Sequence, residues 1–157
     1  MIRLENRIPP PVIDAAFAAL MWLLARAYPW AQLWRADATV WPSWVAAVFG
    51  LAGLASALAG WLAFRRARTT VNPLSPARAS TLVVRGIYRH TRNPMYLGML
   101  LVLAGWGVWL GNVLALLLLP LFVLTLNRLQ IEPEERALRA RFGEAFTQYA
   151  ARVRRWI

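Results

Sequence analysis

The sequence predicts an all-α integral membrane protein. About four transmembrane helices are expected, the last two forming a hairpin, followed by a cytoplasmic amphipathic C-terminal helix. Three observations predict this. Residues of hydrophobic type make up 59% of the chain and mean hydropathy is +0.44, above the roughly half-apolar composition of soluble domains. No charged side chain interrupts Trp44 to Phe64 or Met95 to Leu126. All 18 basic residues are arginines, and they collect at the ends of the apolar runs, as basic residues do on the cytoplasmic face of a membrane.

The first span is expected from Val12 to Trp34, with Asp14 and Arg26 near its ends, where polar side chains reach the interface. The second, Trp44 to Phe64, would be about 31 Å long as a helix, matching a hydrocarbon core about 30 Å thick. It carries Gly50, Gly53, Ala57 and Gly60, a row of small residues that lets another helix approach closely. Met95 to Leu126 as one helix would reach about 48 Å, too long for a bilayer. Gly111-Asn112 near its middle is a turn signal, so the run divides into arms Pro94 to Leu110 and Asn112 to Leu126. From Glu132 to Trp156, apolar residues at three- and four-residue steps predict one amphipathic helix. Pro133 and three glutamates stand at its start and arginines at its end, as the helix dipole favours.

One domain is expected over 1–157. It comprises two spans in 1–64, a cytoplasmic loop in 65–93, the hairpin in 94–127 and the tail helix in 128–157. With four spans, Arg3 and Arg7, the arginines of the 65–93 loop and those of the tail all fall on one side, and Arg35 falls on the other. Both termini are therefore expected to be cytoplasmic. Arginine in place of lysine throughout fits a GC-rich bacterial genome, hence a bacterial inner membrane, and no signal peptide is apparent.

The composition narrows the chemistry. The net charge of +11 is spread beside apolar runs rather than over a separate polar domain, which speaks for membrane lipids as partners and against nucleic acid. Without cysteine, and with one histidine, a metal site and a thiolate nucleophile are not expected. If the hairpin arms are antiparallel, Pro94 and Asn127 are neighbours. Tyr88, Arg92, Asn93 and Tyr96 then meet Glu132, Glu134 and Glu135. Carboxylates bind ribose hydroxyls or ammonium groups, and tyrosine rings accept a base or a cation. The set suits a charged nucleoside-like cofactor beside a pocket open to lipid.

Two stretches, "LVVRGIYRHTRNPMYLG" and "EERALRARFGEAFTQY", resemble the isoprenylcysteine carboxyl methyltransferase family and its phospholipid methyltransferase relatives, from about Thr69 to Ile157. The resemblance implies S-adenosylmethionine held at the cytosolic face and a lipophilic or small-molecule methyl acceptor. It implies that Ser80, Thr81, Leu82 and Val83 contact the cofactor, with Tyr88 following. Asn93, Pro94, Met95 and Tyr96 match the family's His-Pro-x-Tyr core, and Glu134 with Glu135 matches its Glu-Glu pair. Asn93 stands where the prenylcysteine enzymes have histidine, which brings the chain nearer the phospholipid branch. Gln130 stands at the family's substrate-contacting arginine, and Arg128 is the nearby cation. Arg92 and Asn93 are the candidate catalytic residues, Arg92 toward an acidic group of cofactor or substrate, and His90 is a candidate base. The acceptor stays open among thiol, amine, carboxylate and ring. Two other readings stand beside this one: an NADPH-dependent membrane reductase of the sterol-reductase kind, and a non-catalytic membrane scaffold.

Overall fold

The computed structural model describes residues 8–34, 40–67 and 81–157. Ser80, and the loop arginines Arg3, Arg7, Arg35, Arg68 and Arg78, lie outside them.

α1 spans Pro10–Ala27. A proline at its first turn needs no N–H donor partner there. The first span was expected to run on to Trp34, but the helix ends at Ala27. Pro29 disfavours helical geometry at Tyr28, and Pro29–Ala31 forms a single 3-10 turn. α2 spans Trp41–Arg66, again with proline in its first turn. At 26 residues it is about 39 Å long. α3 spans Pro94–Leu110, the length expected for the first hairpin arm, and closes on Gly111 in the left-handed region at φ 63°.

The hairpin turn is heavily pinned. Fully buried Asn112 accepts from the backbone N–H of Leu114 at 3.0 Å and of Ala115 at 3.4 Å, capping the next helix. Its Nδ2 donates to the Tyr28 carbonyl at 3.0 Å. Gln32 Nε2 donates to the Leu110 carbonyl at 3.0 Å, and Trp34 Nε1 to that of Val108 at 2.9 Å. Backbone groups freed by the turn are thus partnered from within the protein.

The second arm is longer than the sequence suggests. α4 (Val113–Leu116) and α5 (Leu118–Leu126) are separated at Leu117, one turn ahead of Pro120, which has no N–H for the Leu116 carbonyl. A π turn, Asn127–Ile131, continues directly into α6 (Glu132–Phe142). The expected single tail helix is two. Gly143, at φ 53°, breaks it in a conformation that side chains disfavour, and α7 (Glu144–Arg152) follows. Beyond it Val153 turns extended.

α2 and α3 lie antiparallel in the closest helix contact of the fold. A Cβ on Gly53 would stand 2.6 Å from the Gly98 carbonyl oxygen, and one on Gly98 equally close to that of Gly53. Gly105 faces the Ala46 carbonyl, and Gly60 faces Pro94 and Met95. Ser56 Oγ donates to the Pro94 carbonyl at 2.7 Å across this seam. Small residues permit such an approach, and dispersion contacts reward it where lipid offers no hydrophobic drive. α1 crosses onto the other side of the hairpin, its Phe17 ring edge-on to Phe122 at 5.3 Å. Met21, Tyr96, Leu103, Ala115, Phe122, Leu126 and Ile131 form the buried core between the helices. Outward rows such as Val48, Leu51, Leu54 and Leu58 on α2, and Leu117, Leu121 and Leu124 on α5, are exposed, as lipid-facing surfaces require. Among the described residues, three helical stretches are long and apolar enough to cross a membrane, and α3 is a shorter apolar helix. The protein is a multi-pass membrane protein.

The glycine seam gives a sharp comparison between identical substitutions. Gly98→Ala puts a methyl group into backbone and is expected to lower stability by about 1–3 kcal/mol. Gly50→Ala meets nothing within 4 Å and is expected to cost nothing. Thermal unfolding of the two variants in the same detergent measures the difference.

Candidate active site

The site forms where α3 begins. Gly60 lies opposite Pro94, so the last six residues of α2 overhang the start of α3 by about 9 Å. The 3-10 turn Gly86–Arg89 packs against this overhang, with Tyr88 edge-on to Phe64 at 5.5 Å. Gly86 starts the turn at φ 65°, a left-handed value natural to glycine. Tyr88 is buried, and Tyr149 of α7 donates its hydroxyl to the Tyr88 carbonyl at 2.8 Å. Burial raises the Tyr88 phenol far above its ordinary range, with Tyr149 and Glu134 adding to the effect. Burial likewise pushes Tyr149 up to about 12, despite the opposing charge of Arg92. Both stay protonated donors.

Tyr96, on the first turn of α3, is buried and donates its hydroxyl to Glu134 Oε1 from α6. The hairpin thus brings together two residues 38 positions apart. Tyr88, Tyr96 and Glu134 are the residues assigned to the cofactor that the structure gathers most closely.

The neighbouring carboxylate does different work. Glu135 accepts from Arg92 Nη2 at 2.5 Å and from Arg155 Nη2 at 2.8 Å and Nε at 3.1 Å. The hydrogen bond to Glu135 raises the Arg155 guanidinium, with burial opposing it and the charges of Glu135 and Glu132 adding to the rise. Arg92 Nη1 also donates to the carbonyls of Ala150 at 2.9 Å and Val153 at 2.5 Å, capping the end of α7, where a cation is favoured. Asn93 directs Nδ2 to the Arg155 carbonyl at 2.9 Å rather than capping α3. Thr91 Oγ1 donates to the same carbonyl at 3.1 Å, and the Arg92 N–H to that of Arg154 at 3.0 Å. The extended C-terminal segment is in this way bound along residues 91–93. Trp156 Nε1 then donates to Asn127 Oδ1 at 3.2 Å.

The remaining sequence candidates divide by position. Pro94 is buried at the head of α3 and Met95 half-buried beside Gly60. Thr81 is exposed, and Leu82 and Val83 are half-buried. Ser80 lies outside the described residues. Gln130 is fully buried and donates Nε2 to the Ile8 carbonyl at 2.7 Å, while Arg128 and His90 are exposed. Sequence reasoning missed Phe64, Thr91, Tyr149, Arg155 and Trp156. Tyr149 stands inside the recognisable tail motif, which was a usable signal. The others are placed by contacts across 20 or more residues that no local pattern marks.

A helical membrane protein with buried phenols and a carboxylate at one helix-hairpin end is the class that fold and site define. The model of the phospholipid methyltransferase family matches residues 41–145, and the chain belongs to that family and is a methyltransferase. Over 63 residues, 40% of this chain, it is 46% identical to the whole of an uncharacterized protein of Haemophilus influenzae. Over 72 residues, 46% of this chain, it is 35% identical to the protein-S-isoprenylcysteine O-methyltransferase of Schizosaccharomyces pombe, of which it spans 30%. No solved structure matches it significantly.

Arg92 and Glu135 are only 12% and 11% exposed in their side chains. Arg92→Ala removes one partner of a buried pair and bares two carbonyls, so a loss of about 3–5 kcal/mol is expected. Arg155→Ala, at 35% exposure, is expected to cost clearly less. Unfolding midpoints of the two variants check the order.

Proposed function

We propose that the protein uses S-adenosylmethionine to methylate a small or lipid-like acceptor at the cytoplasmic face of a bacterial inner membrane, as one domain with both termini cytoplasmic. The observation that carries this is the hydrogen bond from Tyr96 to Glu134 beside buried Tyr88. A carboxylate flanked by two phenol rings fits a nucleoside that carries positive charge: the oxygens take ribose hydroxyls or an ammonium group, and the ring faces take the cation. When bound, the cofactor supplies a methyl group made electrophilic by its sulfonium sulfur.

The chain's own work is placement and the exclusion of water. Tyr96 orients the Glu134 carboxylate, Phe64 packs on the Tyr88 ring, and the Tyr149 hydroxyl holds the Tyr88 carbonyl. Transfer from a sulfonium depends on in-line alignment in a dry site more than on a base. Arg92 and Asn93 act in this reading by fixing the C-terminal segment against the head of α3. Ser80, Thr81, Leu82, Val83, Pro94, Met95 and Glu135 are assigned to the cofactor's surroundings on the family resemblance. Arg128, past the apolar arm, is the candidate cation for an acidic group of the acceptor, with Gln130 two residues beyond it. The short α3 leaves this end of the bundle recessed below the end of α2, which favours an acceptor entering from the bilayer. The arginine asymmetry along the chain supports the cytoplasmic assignment.

Titration calorimetry with S-adenosylhomocysteine tests the reading. Wild type is expected to bind, and Glu134→Gln and Tyr96→Phe are each expected to weaken binding at least about tenfold, roughly 1.4 kcal/mol. Absence of wild-type binding, or binding of NADPH in its place, overturns the proposal. Lipid extracts from cells fed a labelled methyl donor, with and without the protein, then identify the acceptor.

A further inference from the structure

The π turn Asn127–Ile131 separates the membrane arm from the helix that bears Glu134. Each part has its own rotational demand. Phe122 and Leu126 are fully buried in the core cluster that contains Tyr96, which fixes the phase of α5. Glu134 must face the same way to reach Tyr96. In an unbroken α-helix a residue twelve positions after Phe122 points about 120° away from it. A π turn takes up one extra residue and turns the following helix back by about 100°. Glu134 then falls within about 20° of the line through Phe122 and Leu126, on the side where Tyr96 lies.

We infer that the π turn is the register device that aims Glu134 into the site, and that Asn127 and Gln130 are the positioning residues that hold it. A π turn is less favourable than the α-helix it replaces and persists where other contacts secure it. Two segments from the chain's opposite ends secure this one. Gln130, fully buried, donates Nε2 to the Ile8 carbonyl at 2.7 Å, tying the turn to the segment ahead of α1. Asn127 Oδ1 accepts from Trp156 Nε1 at 3.2 Å, tying it to the C-terminal segment. Ile8, Leu129 and Trp156 pack on the same core. The functional consequence rests on the methyltransferase reading; the register itself does not.

The test separates the two. The chain lacks cysteine, so a Tyr96→Cys/Glu134→Cys variant of the full chain carries one thiol pair. A short bis-methanethiosulfonate, read by intact mass, reports whether the two positions face each other. Efficient cross-linking is expected in the full-length background. Asn127→Ala/Gln130→Ala releases both ties and should lower the yield at least fivefold, with helical circular dichroism and monodisperse elution retained, because a relaxed α-helix points position 134 about 120° away from Phe122. Deleting Leu129 from that variant should restore the yield, because position 134 then follows Phe122 by eleven residues and an unbroken α-helix aims it within about 20°; a merely structural loss would not be rescued by a deletion. In the chain without the two cysteines, the double substitution should weaken S-adenosylhomocysteine binding at least tenfold and the deletion should recover it. Cross-linking unchanged by the double substitution, or not restored by the deletion, overturns the inference. If the doubly substituted chain does not fold, Gln130→Ala alone decides: an unchanged yield there overturns the inference, and a fall of at least twofold supports it. Register effects without any wild-type cofactor binding sink the methyltransferase reading and leave the register device standing.

Discussion

One carboxylate gathers one end of the bundle. Glu135 holds Arg92 from the loop ahead of α3 and Arg155 from the extended C-terminal segment, while it is itself carried on α6. Three stretches far apart in the chain therefore meet at one charge. A buried ion pair stabilises only when its remaining donors and acceptors are satisfied, because desolvation consumes most of the coulombic gain. Here Arg92 Nη1 donates to the Ala150 and Val153 carbonyls, and its buried Nε alone is left without a partner. Those carbonyls lie where α7 ends and would otherwise want water. The cluster serves at once as ion pair and helix cap, and the segment it anchors covers the polar side chains at the head of α3.

The bilayer explains why the site is at a helix end. Within the hydrocarbon every backbone group needs an internal partner, so irregular backbone is pushed to the margins or buried in protein. The hairpin turn meets that demand with the Asn112, Gln32 and Trp34 side chains. At the other end the chain departs from α-helix four times in succession, at the 3-10 turn before α3, the π turn, Gly143 and the extended terminus. At two of them side chains from neighbouring segments answer the freed carbonyls: Tyr149 for Tyr88, Asn93 and Thr91 for Arg155. Such partners let polar chemistry concentrate at this end, where, among the described residues, buried Arg92 Nε and Gln130 Oε1 are left without one.

Much of the architecture was legible because the bilayer imposes a length and a polarity that composition reports directly. Trp44 to Phe64, the glycine row and the Gly111-Asn112 turn were readable from spacing alone, and proximity of Pro94 to Asn127 followed from the hairpin's geometry. That proximity led to Tyr96 beside Glu134. What stayed hidden has two causes. The π turn is a local choice between backbone states decided by tertiary partners, Ile8 and Trp156, whereas the end of α1 at Ala27 and the break at Gly143 carry local marks, Pro29 and the glycine, that the apolar pattern overrode. The periodicity of Leu138, Phe142, Ala145 and Tyr149 continued across Gly143 and hid the break. Arg92 had an arginine's several uses open to it. Only its distance to Glu135 and to the α7 carbonyls shows which partners its guanidinium has taken.

The adjacent glutamates show how closely site and scaffold are interleaved. Neighbours on an α-helix project about 100° apart, so Glu134 and Glu135 cannot meet the same partners. Glu134 faces the phenol of Tyr96, and Glu135 faces two guanidinium groups. Turning α6 back by a single residue would bring Glu135 from its cations to the phenol and carry Glu134 about 100° away from both. Turning it forward by one would put Glu134 among the cations and leave the phenol without a carboxylate. The charge cluster and the π turn therefore demand the same rotation of α6, one from each side. That agreement lets two carboxylates one residue apart serve different ends, one as the partner of a buried phenol and the other as the pin of the charge cluster.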